Sequence, residues 1–269
     1  MGKLIGMLLG WLVLRGWFGA LIGLVIGHFF DRGLARNARR LSGAELAEVQ
    51  DAFFATTFGL LGYLAKADGR VSEEEIARTE EYMRQMGLNS EHRERAKALF
   101  RGGRDAGFSV ADTLAQFNAR AGRYGNLRQL LLTYLIGMAL ADGRIDDAED
   151  AVLREVAAGL GFGAATFDAL LRMVSAQEQF RGFGSGRRTG SRTPPPRTDE
   201  LALAYQALGV DRSASDGELK RAYRRLMSEY HPDKLMGQGV PEDMIKVATE
   251  RAQEVQAAYD LIKKSRAGG

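Results

Sequence analysis

The chain opens with a nearly unbroken run of hydrophobic residues, from Leu4 to Phe30, that contains a single charge at Arg15. A helix over this run reaches about 40 Å at about 1.5 Å per residue, whereas the hydrocarbon core of a bilayer is roughly 30 Å thick. The run is longer than the apolar part of a signal peptide, and no small-residue cleavage site follows it. The pattern therefore predicts a transmembrane anchor over residues 1–31, with the lipid bilayer as its partner.

Charges on either side of the run predict its orientation. Lys3 alone precedes the run, and four arginines follow it (Arg32, Arg36, Arg39 and Arg40). Because lysine and arginine concentrate on the cytoplasmic side of a membrane span, we expect a short N-terminus outside the cytoplasm and all later residues inside it.

Glycines recur every four residues along the predicted span. They form two series, Gly2-Gly6-Gly10 and Gly19-Gly23-Gly27. Steps of four keep glycines close to one face of a helix, and small residues let two membrane helices approach closely. This glycine face predicts a homodimer formed through the anchor. The alternative interpretation is that glycine is simply frequent in membrane helices.

Hydrophobic residues in the segment 41–180 recur every three or four positions, as at Leu46, Val49 and Phe53, and the segment contains no proline. This period is typical of amphipathic helices and predicts about seven of them, joined by short turns that contain glycine. The expected fold class is all-α, with one transmembrane helix, this central helical domain and a C-terminal helical hairpin.

An internal repeat lies within the central segment. Residues 67–75 read ADGRVSEEE, and residues 141–149 read ADGRIDDAE. In each copy, glycine is expected to close one helix, and Ser72 or Asp146 to cap the next one. Glu75 or Glu149 would complete a capping box.

Four carboxylates of the repeat allow a second interpretation, a divalent-cation site formed by Asp68, Glu75, Asp142 and Glu149. An EF-hand is excluded, because its first two ligand positions would fall on Leu64 and Lys66, or on Met138 and Leu140, which carry no carboxylate. The capping interpretation is the one we favour.

Residues 181–198, RGFGSGRRTGSRTPPPRT, carry five arginines and no acidic residue. Glycine, serine and proline dominate the remainder, so the segment cannot bury enough apolar surface to order and is predicted to be a linker. The basic excess of the chain lies here and beside the anchor rather than on a folded body. Nucleic-acid binding is therefore not expected.

The hydrophobic pattern of residues 199–269 predicts a helical hairpin clamped by a short first helix. The expected helices cover residues 201–208, 216–230 and 241–264. Ser215 and Glu218 form a capping box that opens the second helix, and Pro232 ends it because proline disfavours helical geometry at His231. A polar loop is thus expected at the tip of the hairpin.

The second of these helices has two distinct sides. One carries an apolar stripe (Leu219, Ala222, Tyr223, Leu226 and Tyr230). A separate sector is basic (Lys220, Arg221, Arg224 and Arg225). A basic helix face favours fast, salt-sensitive association with an acidic partner.

Four sequence blocks of the C-terminal segment, YQALGV, AYRRL, YHPDK and AAY, occur in the order found in the J domain of the DnaJ family. The tandem ADGR-[VI] pattern of the central segment resembles the TerB family of tellurite-resistance-like domains, which implies an acidic metal site on the four carboxylates named above. The complete arrangement is similar to membrane-anchored DnaJ-like proteins of Gram-negative bacteria. It implies a single-pass protein of the bacterial inner membrane with a periplasmic N-terminus.

The DnaJ resemblance implies a co-chaperone that binds a DnaK-type chaperone and stimulates its ATP hydrolysis near membrane clients. By resemblance, His231, Pro232 and Asp233 form the activating loop. The docking face comprises Lys220, Arg221, Arg224, Arg225 and Lys234. No cofactor is expected, and no nucleophile–base pair or phosphate-binding glycine loop indicates an enzyme. The alternative function is cation binding or sensing by the central domain, with the J domain as a secondary output.

Overall fold

The computed structural model describes residues 43–67, 73–141, 143–184 and 197–267. These residues form α-helices and one 3-10 turn, without any strand, in agreement with the predicted all-α class. The helices are α1 Gly43–Leu64, α2 Glu73–Met86, α3 Ser90–Gly103, α4 Val110–Ala121, α5 Gly125–Ala139, α6 Asp147–Gly159, α7 Ala164–Gly184, α8 Arg197–Ala207, α9 Asp216–Glu229, α10 Pro232–Met236 and α11 Ile245–Ala267. The described chain from Ala44 onward forms one compact unit.

Helix α5 lies at the centre of the first seven helices, because every residue from Leu130 to Gly137 is buried. Aromatic side chains of α1 and α4 pack around it; the ring of Phe53 lies 6.0 Å from that of Tyr134 and 6.4 Å from that of Phe117. A helix that is apolar on most of its circumference is expected in such a core position.

Helices α1 and α3 cross at glycines. A Cβ atom at Gly103 would lie 1.9 Å from the carbonyl oxygen of Gly59, and one at Gly62 would lie 2.0 Å from the carbonyl oxygen of Phe100. No side chain fits at either distance, so the crossing requires glycine on both helices.

The second copy of the repeat adopts the predicted capping geometry. Asp146 Oδ1 accepts a hydrogen bond from the Glu149 N–H at 2.8 Å, and Glu149 Oε2 accepts one from the Asp146 N–H at 3.1 Å. Gly143 has a φ of +94°, a conformation that favours glycine. The capping prediction is confirmed for this copy, whereas Ser72 lies outside the described residues.

The C-terminal hairpin pairs α9 with α11, and its bounds differ from the prediction at the tip. The polar loop contains the short helix α10 and a 3-10 turn, Glu242–Met244. Pro241 precedes this turn with an extended ψ of 142°, so α11 begins at Ile245 rather than at the proline. The rings of Tyr223 and Tyr259 stack at 4.2 Å between the two long helices.

The two ends of the predicted linker are helical. Helix α7 continues to Gly184 and α8 begins at Arg197, so both helices extend into the segment predicted as a linker. No helix in the described ranges combines the length and apolarity needed to cross a bilayer. The predicted anchor and its glycine face (Gly6, Gly10, Gly19, Gly23 and Gly27) lie outside those ranges.

Candidate functional site

The tip formed by His231, Pro232 and Asp233, here called the trigger loop, lies at the junction of α9 and α10. His231 has an extended backbone (φ −66°, ψ 122°) because Pro232 follows it. Proline then occupies the first position of α10, where its missing N–H costs no hydrogen bond. The side chains of His231 and Asp233 are exposed, so the loop presents an imidazole and a carboxylate to solvent.

Buried residues on both sides hold the trigger loop in place. Tyr230, directly before it, and Leu235, directly after it, are buried, as is Val240 farther along the chain. The His231 carbonyl accepts a hydrogen bond from the Leu235 N–H at 3.1 Å, and the Leu235 carbonyl accepts one from the Val240 N–H at 3.0 Å. Burial raises the pKa of the Tyr230 hydroxyl to about 12. The exposed groups therefore stand on a buried and hydrogen-bonded base.

The predicted basic face extends along α9 to the trigger loop. Its residues are all exposed (Lys220, Arg221, Arg224, Arg225 and Lys234). On the other side of the same helix, Leu219, Ala222 and Leu226 are buried inside the hairpin. The predicted docking residues and the His231 and Asp233 side chains of the trigger loop are thus all exposed, on α9, on the junction that follows it and on α10.

The N-terminus of α9 is fixed by the predicted capping box. Ser215 Oγ accepts a hydrogen bond from the Glu218 N–H at 3.3 Å, and Glu218 Oε2 accepts one from the Ser215 N–H at 2.8 Å. The Ser215 N–H and the Ser215 hydroxyl, which also donates to Glu218 Oε2 at 2.7 Å, lower the pKa of the Glu218 carboxyl. Both predicted capping boxes that lie within the described residues, those of α6 and α9, are therefore confirmed.

A buried ion cluster joins the hairpin to the central helices, and the sequence analysis did not identify it. Arg251 of α11, only 2% exposed, donates to Glu178 of α7 and, at 3.0 Å, to Glu254 of α11. Arg181 of α7 lies 3.7 Å from Glu254. Arg251 lies three residues after Ala248 and four before Val255, which are both buried, so it falls on the buried face of α11. A cation at a position where the helical period predicts an apolar residue was the signal that the sequence offered.

Glu254→Gln is expected to change how stability depends on pH. Burial raises the pKa of Glu254 to about 7, against the opposing effect of Arg251 and Arg181 and with the support of Glu178. The folded chain thus binds this proton more tightly than the unfolded chain. The free energy that this bound proton adds to folding is complete below the unfolded-state pKa of about 4.3 and is lost as the pH rises through 7.

The measurement for this prediction is urea unfolding of the detergent-solubilised chain at several pH values from about 5 to about 8. Across this range, the free energy of unfolding should fall more for the wild-type protein than for Glu254→Gln. Parallel curves for the two proteins would contradict the prediction.

Three family models match successive parts of the chain. The model for the co-chaperone DjlA transmembrane domain matches residues 1–37, that for tellurite resistance protein TerB residues 54–172, and that for the DnaJ domain residues 203–267. Co-chaperone protein DjlA of Yersinia pseudotuberculosis is 39% identical over 272 residues, which cover 98% of both chains. The chain belongs to the DjlA co-chaperones.

Other DjlA proteins show the same relationship. That of Photobacterium profundum is 40% identical over 275 residues, covering 98% of both chains. That of Escherichia coli K12 is 39% identical over 268 residues, covering 98% of this chain and 97% of the relative. No solved structure matches the chain.

These matches confirm the resemblances to the DnaJ and TerB families. As a DjlA co-chaperone, the protein belongs to a non-enzymatic J-domain family. The match of its first 37 residues to the DjlA transmembrane domain agrees with the predicted membrane anchor.

The candidate cation site of this DjlA chain lies largely outside the described residues. Asp68, Asp142 and the side chain of Glu75 are not described, and Glu149 belongs to the capping box of α6. Within the described ranges, no group of three or more histidine, aspartate or glutamate side chains is arranged to hold a metal ion.

Proposed function

We propose that this DjlA co-chaperone docks its basic face on a DnaK-type chaperone and stimulates ATP hydrolysis by that chaperone through the trigger loop. The observation that supports the proposal most strongly is that every residue of the basic face is exposed, as are His231 and Asp233, whereas the leucines of α9 and α10 are buried. Arg224, Arg225 and Lys234 supply positive charge beside the exposed His231 and Asp233.

The physical roles of the two parts differ. Exposed guanidinium and ammonium groups attract an acidic surface over distances of about a Debye length, which accelerates encounter more than it strengthens the final complex. The trigger loop then supplies short-range contacts: Asp233 can accept hydrogen bonds from a cationic group of the partner, and the His231 ring can donate or accept one. The ATP and its hydrolytic machinery belong to the partner.

The membrane anchor gives this activity a location. We infer a single span in the bacterial inner membrane, with a short periplasmic N-terminus and the J domain in the cytoplasm, from the arginines that follow the apolar run. Tethering the trigger loop at the membrane raises its effective concentration near membrane-proximal clients. The glycine face of the span supports a homodimer, which would double the number of trigger loops at one place.

Reversing two charges of the basic face tests the docking step. The double variant Arg221→Glu/Arg224→Glu should bind a DnaK-type chaperone about tenfold or more slowly than wild type at low ionic strength, because electrostatic steering is lost. The difference should shrink as salt is raised. Stopped-flow or surface-based association kinetics over a salt series measure both effects.

A matched control is Lys263→Glu/Lys264→Glu, which reverses two exposed charges on α11, outside the docking face. This control should associate at a rate close to that of wild type. Equal slowing by both double variants would show that net charge alone matters and would contradict docking through α9.

A further inference from the structure

One face of the central helix α5 is polar or small, although the helix is otherwise a buried apolar core element. Asn126, Gln129, Thr133 and Gly137 follow one another at intervals of three or four residues, which places them along a single face. This set of four residues, here called the α5 seat, faces the C-terminal hairpin.

Contacts of the α5 seat begin beside the trigger loop. Gln129 Nε2 donates a hydrogen bond to Glu229 Oε2 at 3.0 Å. Glu229 stands two residues before His231, and its other oxygen lies 3.8 Å from Nε of Arg225 in the basic face. Through the Glu229 carboxylate, two residues before the trigger loop begins, Gln129 is therefore connected to Arg225 of the basic face.

The remaining members of the seat extend the contact in both directions. The amide of Asn126 donates to the side chain of Gln238, in the loop that follows the trigger. At the opposite end, a Cβ atom at Gly137 would lie 2.9 Å from the Tyr82 hydroxyl, so glycine makes room for that tyrosine. The Arg251 guanidinium lies 3.5 Å from the same point, an ordinary contact distance that places it against α5.

Helices α1, α3 and α5 of the central domain also hold the hairpin loop that follows the trigger. Gly239, buried and with a φ of +105°, packs so closely on α1 that a Cβ atom there would lie 2.5 Å from Cγ1 of Val49. The Tyr134 hydroxyl donates to the Met244 carbonyl at 2.5 Å. Asp243 Oδ2 lies 2.6 Å from His92 Nδ1. The loop that follows the trigger is thus bound to the central domain through both side chains and backbone.

We propose that the α5 seat positions the trigger loop, so that the central domain and the J domain present His231 and Asp233 to the chaperone as one rigid body. The inference rests on the proposed function and adds a role for the central domain to it. In the seated arrangement the trigger loop and the basic face remain exposed, so this arrangement is the active one. Asn126 and Gln129 are positioning residues that act through the hairpin.

The absence of cysteine from the sequence allows a direct test by disulfide locking. Asn126→Cys and Gln238→Cys are introduced together into the full-length chain in detergent, and the pair is oxidised. We expect an intrachain disulfide, absent from each single variant, and we expect the locked chain to stimulate single-turnover ATP hydrolysis by a DnaK-type chaperone within about twofold of the same chain after reduction.

Each outcome bears on a separate claim. Failure of the disulfide to form would overturn the seat, and a locked chain that stimulates only after reduction would show that seating blocks the trigger, which also overturns the proposal. A disulfide that forms in a chain inactive in both redox states, together with an inactive wild type, would leave the seat in place and refute the proposed function instead.

Loosening the seat supplies the complementary test. Asn126→Ala/Gln129→Ala removes two hydrogen bonds, and the fraction of chains with a correctly oriented trigger should fall. The concentration needed for half-maximal stimulation should rise about fivefold while the maximal rate stays constant. Gln116→Ala, at an exposed position of α4, is the matched control and should match wild type. An unchanged half-maximal concentration in the double variant would contradict positioning by the seat.

Discussion

Replacing Arg251 with alanine is expected to destabilise the described unit by about 3–5 kcal/mol, because it leaves two carboxylates without their buried cation. The side chains of Glu178 and Glu254 are only 18% and 7% exposed, so water compensates poorly for the lost guanidinium, least of all at Glu254. Arg181 keeps its hydrogen bond to Glu178 and lies 3.7 Å from Glu254, but it is much more exposed than Arg251 and does not replace the buried cation. Urea unfolding of the full-length chain in detergent, followed by circular dichroism, measures the loss.

Two comparison variants make this prediction specific. Lys263→Ala removes an exposed cation from the same helix and should leave the unfolding midpoint close to that of wild type. The triple variant Arg251→Met/Glu178→Leu/Glu254→Leu removes the whole cluster and should recover most of the stability that Arg251→Ala loses, because no charge stays buried. A single variant as stable as wild type would contradict the ion cluster as a fixed part of the interface.

Replacing His231 with glutamine is expected to abolish stimulation of the chaperone without unfolding the J domain. The side chain is exposed and caps no helix, and Pro232 fixes the local backbone whatever residue precedes it. Glutamine retains hydrogen-bonding groups but loses the ring and its two nitrogens. We therefore expect thermal stability close to wild type and an ATP hydrolysis rate close to that of the chaperone alone.

The control for this variant is Gln253→Ala, an exposed position on α11 outside the trigger loop and the basic face. It should stimulate as wild type does. If His231→Gln retained most of the stimulation, the trigger loop would have no special role, even if the basic face still bound the chaperone.

Features that depend on nearby residues could be predicted from the sequence. The capping boxes of α6 and α9 each join residues three apart, and the break at His231 follows from the adjacent proline. The basic face could be predicted from the helical period alone. These signals are local, so they specify helix ends and faces independently of the rest of the fold.

Features that depend on distant residues could not be predicted in the same way. The sequence suggested a hairpin separated from the central domain by a linker, yet α11 packs on α7 through Arg251 and Glu178, 73 positions apart. Arg251 in an apolar register and the polar residues of α5 were visible anomalies. Neither one identifies its partner, because a helical period shows which side is unusual and not which helix faces it.

The short elements at the hairpin tip were missed for a related reason. Helix α10 has five residues and the 3-10 turn three. Such lengths contain no complete hydrophobic period, and α10 is stabilised by the burial of Leu235 rather than by its own pattern. The proline at position 241 indicated a helix start, but its extended backbone leads into the 3-10 turn instead.

The most direct test of the central claim is single-turnover ATP hydrolysis by a DnaK-type chaperone titrated with the wild-type chain in proteoliposomes, with His231→Gln in parallel. The hydrolysis rate constant should rise with wild-type concentration to a plateau and should stay at the basal value with the variant. A rate constant that does not change with wild-type concentration, even at low ionic strength, would contradict the account.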